Sequence, residues 1–324
     1  MKKEKMETEY RKFSLEKTTA QKVFDKFELG AVESISRFEH GMINDVYSIN
    51  GQYVLKVNFA HPELPKLTRE AAIYTALPKY GIPVPKLYAH EESKDLLGYP
   101  YILMGQLPGG PIKETWGSLD EEQKVKTIFE LGRLLGSIHN IRPNQVSLDE
   151  QNFSGNLRED INSRIAKIGE ELRSSKVLDE QTISRIENYY KESDVFNNNE
   201  VAPSLLHGNY VFGNIITSDN HVQGLIDWEW AKFGHNEEEL ANVLYRGPGP
   251  TSVMGAMSKD LLENFKKGYL SVHPLSTEFE ERYLPYALLY FLKVLPSVPQ
   301  WTHRPDKQKE YMDETNSLIK QIGI

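Results

Sequence analysis

The sequence predicts an α+β chain of two lobes, a small strand-rich lobe followed by a larger helical one. Three observations predict it. From about Phe27 to Met104, short apolar runs are broken by Asn, Gly and Pro, the pattern of strands and turns. After about residue 119 the apolar residues recur at helical spacing. Between the two regimes, Pro108-Gly109-Gly110 punctuates the chain as a hinge would. With 324 residues, 39% of them apolar, there is enough chain to bury two cores. The expected division is an N-terminal extension over 1–26, a first lobe over 27–105 and a second over 106–324.

Tyr47-Ser48-Ile49, then Asn50-Gly51, then Tyr53-Val54-Leu55-Lys56-Val57 reads as a hairpin, because Asn-Gly supplies the positive φ angles of a tight turn. A helix follows over Lys66 to Leu77, with Leu67, Ala71, Tyr74 and Leu77 on one face. Gly81-Ile82-Pro83-Val84-Pro85 ends it and starts an extended segment; Tyr99 to Met104 is a strand closing at Gly105. Ser118 or Asp120 caps a helix running through His139, buried along Ile128, Leu131, Leu135 and Ile138. Amphipathic helices are expected near 156–174 and 179–193. Short strands are expected at Leu205-Leu206, Asn214 to Thr217 and Val222 to Ile226. The remainder reads as helix apart from the turn Gly247-Pro248-Gly249-Pro250.

Composition excludes several classes. There is no cysteine, hence no disulfide framework, thiolate metal site or thiol nucleophile. A net charge of −8 is the wrong sign for neutralising nucleic-acid phosphates. The charge is uneven: residues 1–105 carry 15 basic and 14 acidic side chains, the remainder 23 and 32. That acidic excess favours a cationic small molecule slightly, although solvated helix faces explain it as well. The start, Met1 to Glu7, is charged without an apolar run, so no secretory signal is expected. Tyr283 to Val298 is interrupted by Pro285, Lys293 and Pro296, so no membrane span is expected and the cytoplasm is the default location.

There is no GxxxxGK[ST] loop and no HExxH pair. What stands out is an ordered set of single residues: Lys56 on a strand, Glu70 on the next helix, His207-Gly208-Asn209 with Asn214 in a loop, and Asp227 after a strand. Each alone has a dull explanation, as a solvated charge or a turn former. Together they make a phosphoryl-transfer apparatus, which needs phosphates held by a cation, bridging metal ions and an oriented hydroxyl. Lys56 would hold nucleotide phosphates, with Glu70 fixing its ammonium group. Asn214 and Asp227 would offer the hard oxygens that Mg²⁺ takes. The loop His40-Gly41-Met42-Ile43-Asn44-Asp45 lies where its backbone would cover phosphates, and Asn44 is counted with the nucleotide-binding residues.

The stretch Leu206-His207-Gly208-Asn209-Tyr210-Val211-Phe212-Gly213-Asn214-Ile215 is similar to the HGDxxxxN loop of the aminoglycoside phosphotransferases and their choline kinase-like relatives, and Leu225-Ile226-Asp227-Trp228-Glu229 resembles their IDWE element. The resemblance covers nearly the whole chain from Phe27. It implies a bilobal protein-kinase-like fold, ATP or GTP with Mg²⁺ as cofactors, and a small-molecule hydroxyl as acceptor, an antibiotic such as an aminoglycoside or a sugar-like metabolite. It implies no nucleic-acid or membrane partner. Carried onto this chain, Lys56 contacts the α and β phosphates, Asn214 and Asp227 bind the metal, and Met104 backs the adenine pocket. The Gly105 carbonyl and Leu107 amide read the base edge. His207 supports the catalytic loop, and Glu229 either touches metal or acceptor or is structural. The acceptor is expected between the catalytic loop and a cover of helices from 145–195 and beyond 255.

Two departures stand out. The family's aspartate at the third position of HGD is here Asn209, whose amide carries no charge and is no useful base. Three readings stay open: a working kinase carrying a deliberate inactivating substitution, a naturally inactive nucleotide- or ligand-binding relative, or a kinase in which another acid serves as base. The second departure is Gly234-His235-Asn236-Glu237-Glu238-Glu239-Leu240-Ala241, where relatives have GDPxxDLA; Glu239 is expected to take the last acid's structural place.

Overall fold

Asn50 and Gly51 both adopt left-handed backbone, φ 56° and 63°, the requirement of a two-residue hairpin turn between right-twisted strands. With Gln52, whose N–H donates to the Ile49 carbonyl at 3.1 Å, they join β2 (Asp45–Ile49) to β3 (Tyr53–Val57), and the extra loop residue sets Ile49 opposite Tyr53 and Val46 opposite Lys56. This hairpin seeds the first of two compact units in the computed structural model, which describes residues 13–38, 45–59, 62–148, 153–197, 202–246, 257–302 and 304–324. Asn44 with the rest of its loop, and the Gly247–Pro250 turn, lie outside the described residues.

The first unit comprises Met1–Ile112, Val146–Asp149 and Gly213–Ala231. Its main sheet is antiparallel, ordered β1-β2-β3-β5-β4, with β1 at Ile35–Arg37, β4 at Leu87–Glu91 and β5 at Tyr101–Gly105. Lys56 therefore sits on the central strand, paired across to Ile102. One face buries Ile49, Leu55, Val57, Tyr101 and Leu103 against Val23 and Phe24 of helix α1 (Lys17–Lys26). Helix α2 (Lys66–Ala76) buries Leu67, Glu70, Ala71, Ile73 and Tyr74. A second sheet is built from β6 (Gly110–Pro111), β8 (Ile215–Ser218) and β9 (His221–Leu225), in the order β6-β8-β9. At the end of the Pro108-Gly109-Gly110 segment, Gly110 and Pro111 pair with Thr217 and Ile216, and Gly213–Ala231 belongs to the first unit.

The second unit, Lys113–Gln145 with Glu150–Phe212 and Lys232–Ile324, is predominantly helical. Its helices are α3 (Glu121–His139), α4 (Leu157–Ser175), α5 (Glu180–Glu192), α6 (Asn236–Arg246), α7 (Lys259–Leu270), α8 (Phe279–Val294) and α9 (Pro305–Ile322). Asp120 is the cap of α3, in a reciprocal capping box with Gln123. A two-stranded ladder of β7 (Ser204–Leu206) and β10 (Lys232–Gly234) brings the stretch before His207 beside the stretch before Asn236. No helix among the described residues is long and apolar enough to cross a membrane.

Helices α3 and α7 meet backbone to backbone. A methyl group at Gly132 would lie 1.9 Å from the Phe265 carbonyl, and one at Gly268 would lie 2.0 Å from the Phe129 carbonyl. Nothing there is a flexible side chain that could swing aside. Gly132→Ala is expected to destabilise the chain by about 1–3 kcal/mol through forced separation of the two helices, read as a lowered urea midpoint.

Candidate active site

A lysine in the middle of a central strand would ordinarily be pushed toward deprotonation by burial. Lys56 is 5% exposed, and two carboxylates overrule that effect. Its Nζ donates to Glu70 Oε2 at 2.7 Å and to Asp227 Oδ1 at 2.8 Å, which holds the ammonium group above its usual range. Glu70 comes from the buried face of α2, fourteen positions on, and Asp227 from 171 positions on. All three residues belong to the first unit. Glu70 is sealed in, whereas the Asp227 side chain keeps 33% of its surface exposed and is the member open to a ligand.

Asp227 follows β9 in left-handed backbone, φ 66°, a conformation that is strained for a residue bearing a Cβ. The segment around it is pinned at several points. Trp228 is fully buried and its Nε1 donates to the Leu225 carbonyl; Arg69 Nη1 donates to the Glu229 carbonyl at 2.8 Å. The Glu229 carboxylate, 4% exposed, lies 3.6 Å from Lys66 Nζ. Glu229 is therefore engaged in holding its own loop to α2. Antiparallel pairing of Ile215 with Leu225, and the Ile226 N–H donating to the Asn214 carbonyl at 3.0 Å, put Asn214 and Asp227 at the same end of the β8–β9 hairpin. That end offers amide and carboxylate oxygens, a donor set suited to a hard divalent cation that keeps waters and phosphate oxygens as its other ligands. No group of three or more His, Cys, Asp and Glu side chains with metal-ligand geometry occurs among the described residues, so a closed protein cage is not offered.

Met104 and Gly105 end β5, and the Gly105 N–H is used by the Lys86 carbonyl at 2.8 Å. The next N–H, of Gln106, donates to Gln52. Leu107 lies across Gly224, where any Cβ would come within 2.7 Å of its Cδ1 and 3.2 Å of the Pro83 carbonyl. The first unit thus brings together Lys56, Glu70, Asn214 and Asp227, with Met104, Gly105 and Leu107 on the strand that flanks β3 and the turn that follows it.

His207 and Asn209 belong to the second unit, where a carboxylate organises the loop that carries them. Glu239 Oε2 accepts the His207 N–H at 3.0 Å and Oε1 accepts the Gly208 N–H at 2.6 Å. Gly208 has φ 81°, so glycine is the residue that turns both amides inward without strain. The same carboxylate sits 3.0 Å from His139 Nε2, which must donate; His139 Nδ1 then accepts from the Tyr269 hydroxyl at 2.9 Å. Despite burial, these donors hold Glu239 below the ordinary glutamate range. His207 is fully buried and its Nδ1 accepts the Asn209 N–H at 3.2 Å, so it shapes the loop. Tyr210 anchors the far side through the Leu131 carbonyl at 2.8 Å. Asn209 itself is half-buried.

Four residues were given no role in the site from the sequence alone. His139 closes the Glu239 hub, Lys66 and Arg69 hold the Glu229 segment, and Tyr74 donates to Glu70 Oε1 at 2.5 Å. Only the last had a local signal, the i,i+4 spacing of Glu70 and Tyr74 on one helix face.

The "Phosphotransferase enzyme family" sequence pattern matches residues 34–279. Acyl-CoA dehydrogenase family member 10 of Mus musculus is 24% identical over 218 residues, 64% of this chain and 20% of that protein, so the chain spans about a fifth of that relative's length. The structure resembles a candidate aminoglycoside phosphotransferase of Ralstonia eutropha JMP134 with a TM-score of 0.71 at 16% identity, covering 94% of this chain and 96% of that one. It also resembles APH(2")-IIa in a ternary complex with streptomycin and ATP, with a TM-score of 0.68 at 16% identity over 93% and 97% of the two chains. The GDP complex of aminoglycoside 2'-phosphotransferase-IIIa gives a TM-score of 0.68 at 13% identity, covering 95% and 98%. The fold is protein-kinase-like, with an antiparallel sheet in the smaller lobe and a helix-rich larger lobe.

Two buried histidines of the second unit make its stability pH-dependent. Burial holds His235 down at about 4, with Arg282 adding to the effect against Glu237; burial, then His139 and Arg142, hold His273 at about 4. Both stay neutral in the folded chain while the unfolded chain takes up protons from about pH 6.5. Their contribution is complete above pH 6.5 and declines as pH falls toward 4. The expected slope is up to about 1.4 kcal/mol per pH unit from His235, with less from His273. Urea midpoints between pH 7.5 and 4.5 should fall steeply for the parent chain and more gently for His235→Gln.

Proposed function

Because the chain belongs to the phosphotransferase enzyme family, we propose that it is built to move a phosphoryl group from ATP or GTP to a hydroxyl of a small molecule, with Mg²⁺ as the metal. The observation that carries this reading is the buried Lys56 ammonium clasped by Glu70 and Asp227. Such a cluster is an expensive way to stabilise a fold and an apt way to hold a phosphate-binding cation in one place.

In this reading residues 27–105 form the nucleotide-binding lobe, and residues 106–324 carry the catalytic loop and the acceptor-binding helices. Lys56 holds the α and β phosphates, Glu70 keeps its ammonium group from wandering, and Asn44 belongs to the loop over the phosphates. Met104, Gly105 and Leu107 receive the base. Asn214 and Asp227 hold the metal, whose chemistry when bound is to neutralise charge on the phosphates and keep the transferring group in line. His207 sets the loop, and residue 209 orients the acceptor hydroxyl. Solved structures of similar fold hold streptomycin and ATP in one case and GDP in another. An aminoglycoside or a sugar-like alcohol is therefore the leading acceptor class, and the acidic excess beyond residue 105 suits a cationic one. The location proposed with this reading is the cytoplasm.

At Asn209 the side-chain amide can hydrogen-bond to a hydroxyl but cannot take its proton. That single feature favours a second reading, a nucleotide- and ligand-binding relative without turnover. Asn209→Asp restores a carboxylate with no change of shape. It is expected to raise turnover by about 10²–10⁴-fold, measured as ADP or GDP release over a panel of hydroxylated antibiotics and metabolites. No turnover in either form, with tight nucleotide binding in both, would favour the binding reading. Asp227→Ala is expected to abolish the Mg²⁺-dependent part of nucleotide affinity in calorimetry; equal affinity with and without metal in the parent chain would refute the metal role.

A further inference from the structure

Tyr74 is 2% exposed and stands one helical turn beyond Glu70 on α2. Its hydroxyl donates to Glu70 Oε1 at 2.5 Å, while Oε2 of the same carboxylate receives Lys56. The Asp227 backbone also lies within hydrogen-bonding reach of the phenol. The contacts close a ring: Asp227 backbone to Tyr74, Tyr74 to Glu70, Lys56 to Glu70, and Lys56 to Asp227 Oδ1. One phenol thereby bears on the glutamate that orients the cation and on the backbone of the carboxylate assigned to the metal.

Resting on the phosphotransfer reading above, we propose that Tyr74 is a positioning residue that keeps the phosphate-holding Lys56 and the metal-holding Asp227 in register. Asp227 needs such a hold more than most residues. Its left-handed φ of 66° is a state that an Asp leaves readily unless its surroundings over-determine it. A phenol against its backbone, and a cation that ties its carboxylate, fix both ends of the residue. Phenylalanine at position 74 would fill the same volume but remove the hydroxyl, so the buried Glu70 Oε1 would lose its donor and the link through Tyr74 to the Asp227 backbone would be cut. Adenosine, which has no phosphates, should not sense the change. A Mg²⁺-bound triphosphate should.

The test is calorimetry on the full chain with ATP and with adenosine, each in Mg²⁺ and in EDTA. Tyr74→Phe is expected to weaken ATP affinity in Mg²⁺ by about tenfold, leave adenosine affinity unchanged and flatten the response to Mg²⁺. Introduced into Glu70→Gln, where the ring is already broken, it should change ATP affinity much less. Unchanged Mg²⁺-dependent affinity in Tyr74→Phe, beside a loss in Glu70→Gln, would overturn the proposal, as would equal loss of ATP and adenosine. Failure of the parent chain to bind Mg²⁺-ATP or Mg²⁺-GTP would instead overturn the phosphotransfer reading. The ring itself is read without ligand or variant stability: in chain labelled with ¹³Cζ-tyrosine, the Tyr74 hydroxyl proton should exchange slowly by NMR. Rapid exchange of that proton in the parent chain would sink the proposal on its own.

Discussion

One buried ammonium group organises the first unit. Lys56 is taken almost wholly out of water, and two carboxylates from distant parts of the chain come with it. Removing Lys56 and Glu70 from solvent and partly burying Asp227 is unfavourable, and their mutual attraction recovers the loss only where geometry is good and other donors satisfy the remaining oxygens. Those conditions reach outward through the structure. Glu70 needs the buried face of α2 and Tyr74; Asp227 needs the β8–β9 hairpin and a backbone held left-handed; the segment beyond it needs Lys66 and Arg69. A central strand, a helix and a hairpin from the far side of the sequence are thereby fixed with respect to one another by charge as well as by packing.

The second unit repeats the device with a different sign of emphasis. There a single carboxylate, Glu239, collects two backbone amides and a histidine, and the loop His207–Asn209 takes its form from that hub. None of these bonds involves the side chain at position 209. Helix α6 shows how polar a packed helix can be when its charges are matched. Glu237 meets Arg282 at 3.2 Å, Glu238 is gripped by both terminal nitrogens of Arg164, and Glu239 serves the loop. Three consecutive acids that look like a solvated run in the sequence are each spoken for.

Much of the architecture is legible along the chain because it is locally determined. The Asn50-Gly51 turn, the Asp120 cap and the apolar stripe of α3 each follow from residues within a few positions of one another, and each is found where the spacing puts it. The two short strands expected near residues 214–217 and 222–226 are likewise found, as β8 and β9, while their pairing is a finding of the structure. The residues with chemical promise could also be picked out, since a strand lysine, a helix glutamate and an aspartate after a strand stand in a recognisable order. Order along a chain, however, says nothing of distance. That Lys56 meets Asp227 across 171 positions was decided in tertiary structure, where the β8–β9 hairpin meets Pro83 and Leu107. The same packing made Glu229 a tether bound to Lys66 and turned the Gly-Pro segment near residue 110 into a paired edge. Tyr74 looked like one more apolar position on a helix face; only the approach of Asp227 gave its hydroxyl a second partner. Local backbone preference and side-chain period are written in the sequence because they arise between near neighbours. Which buried charges share a site is settled by tertiary contact, where desolvation and pairing are decided together.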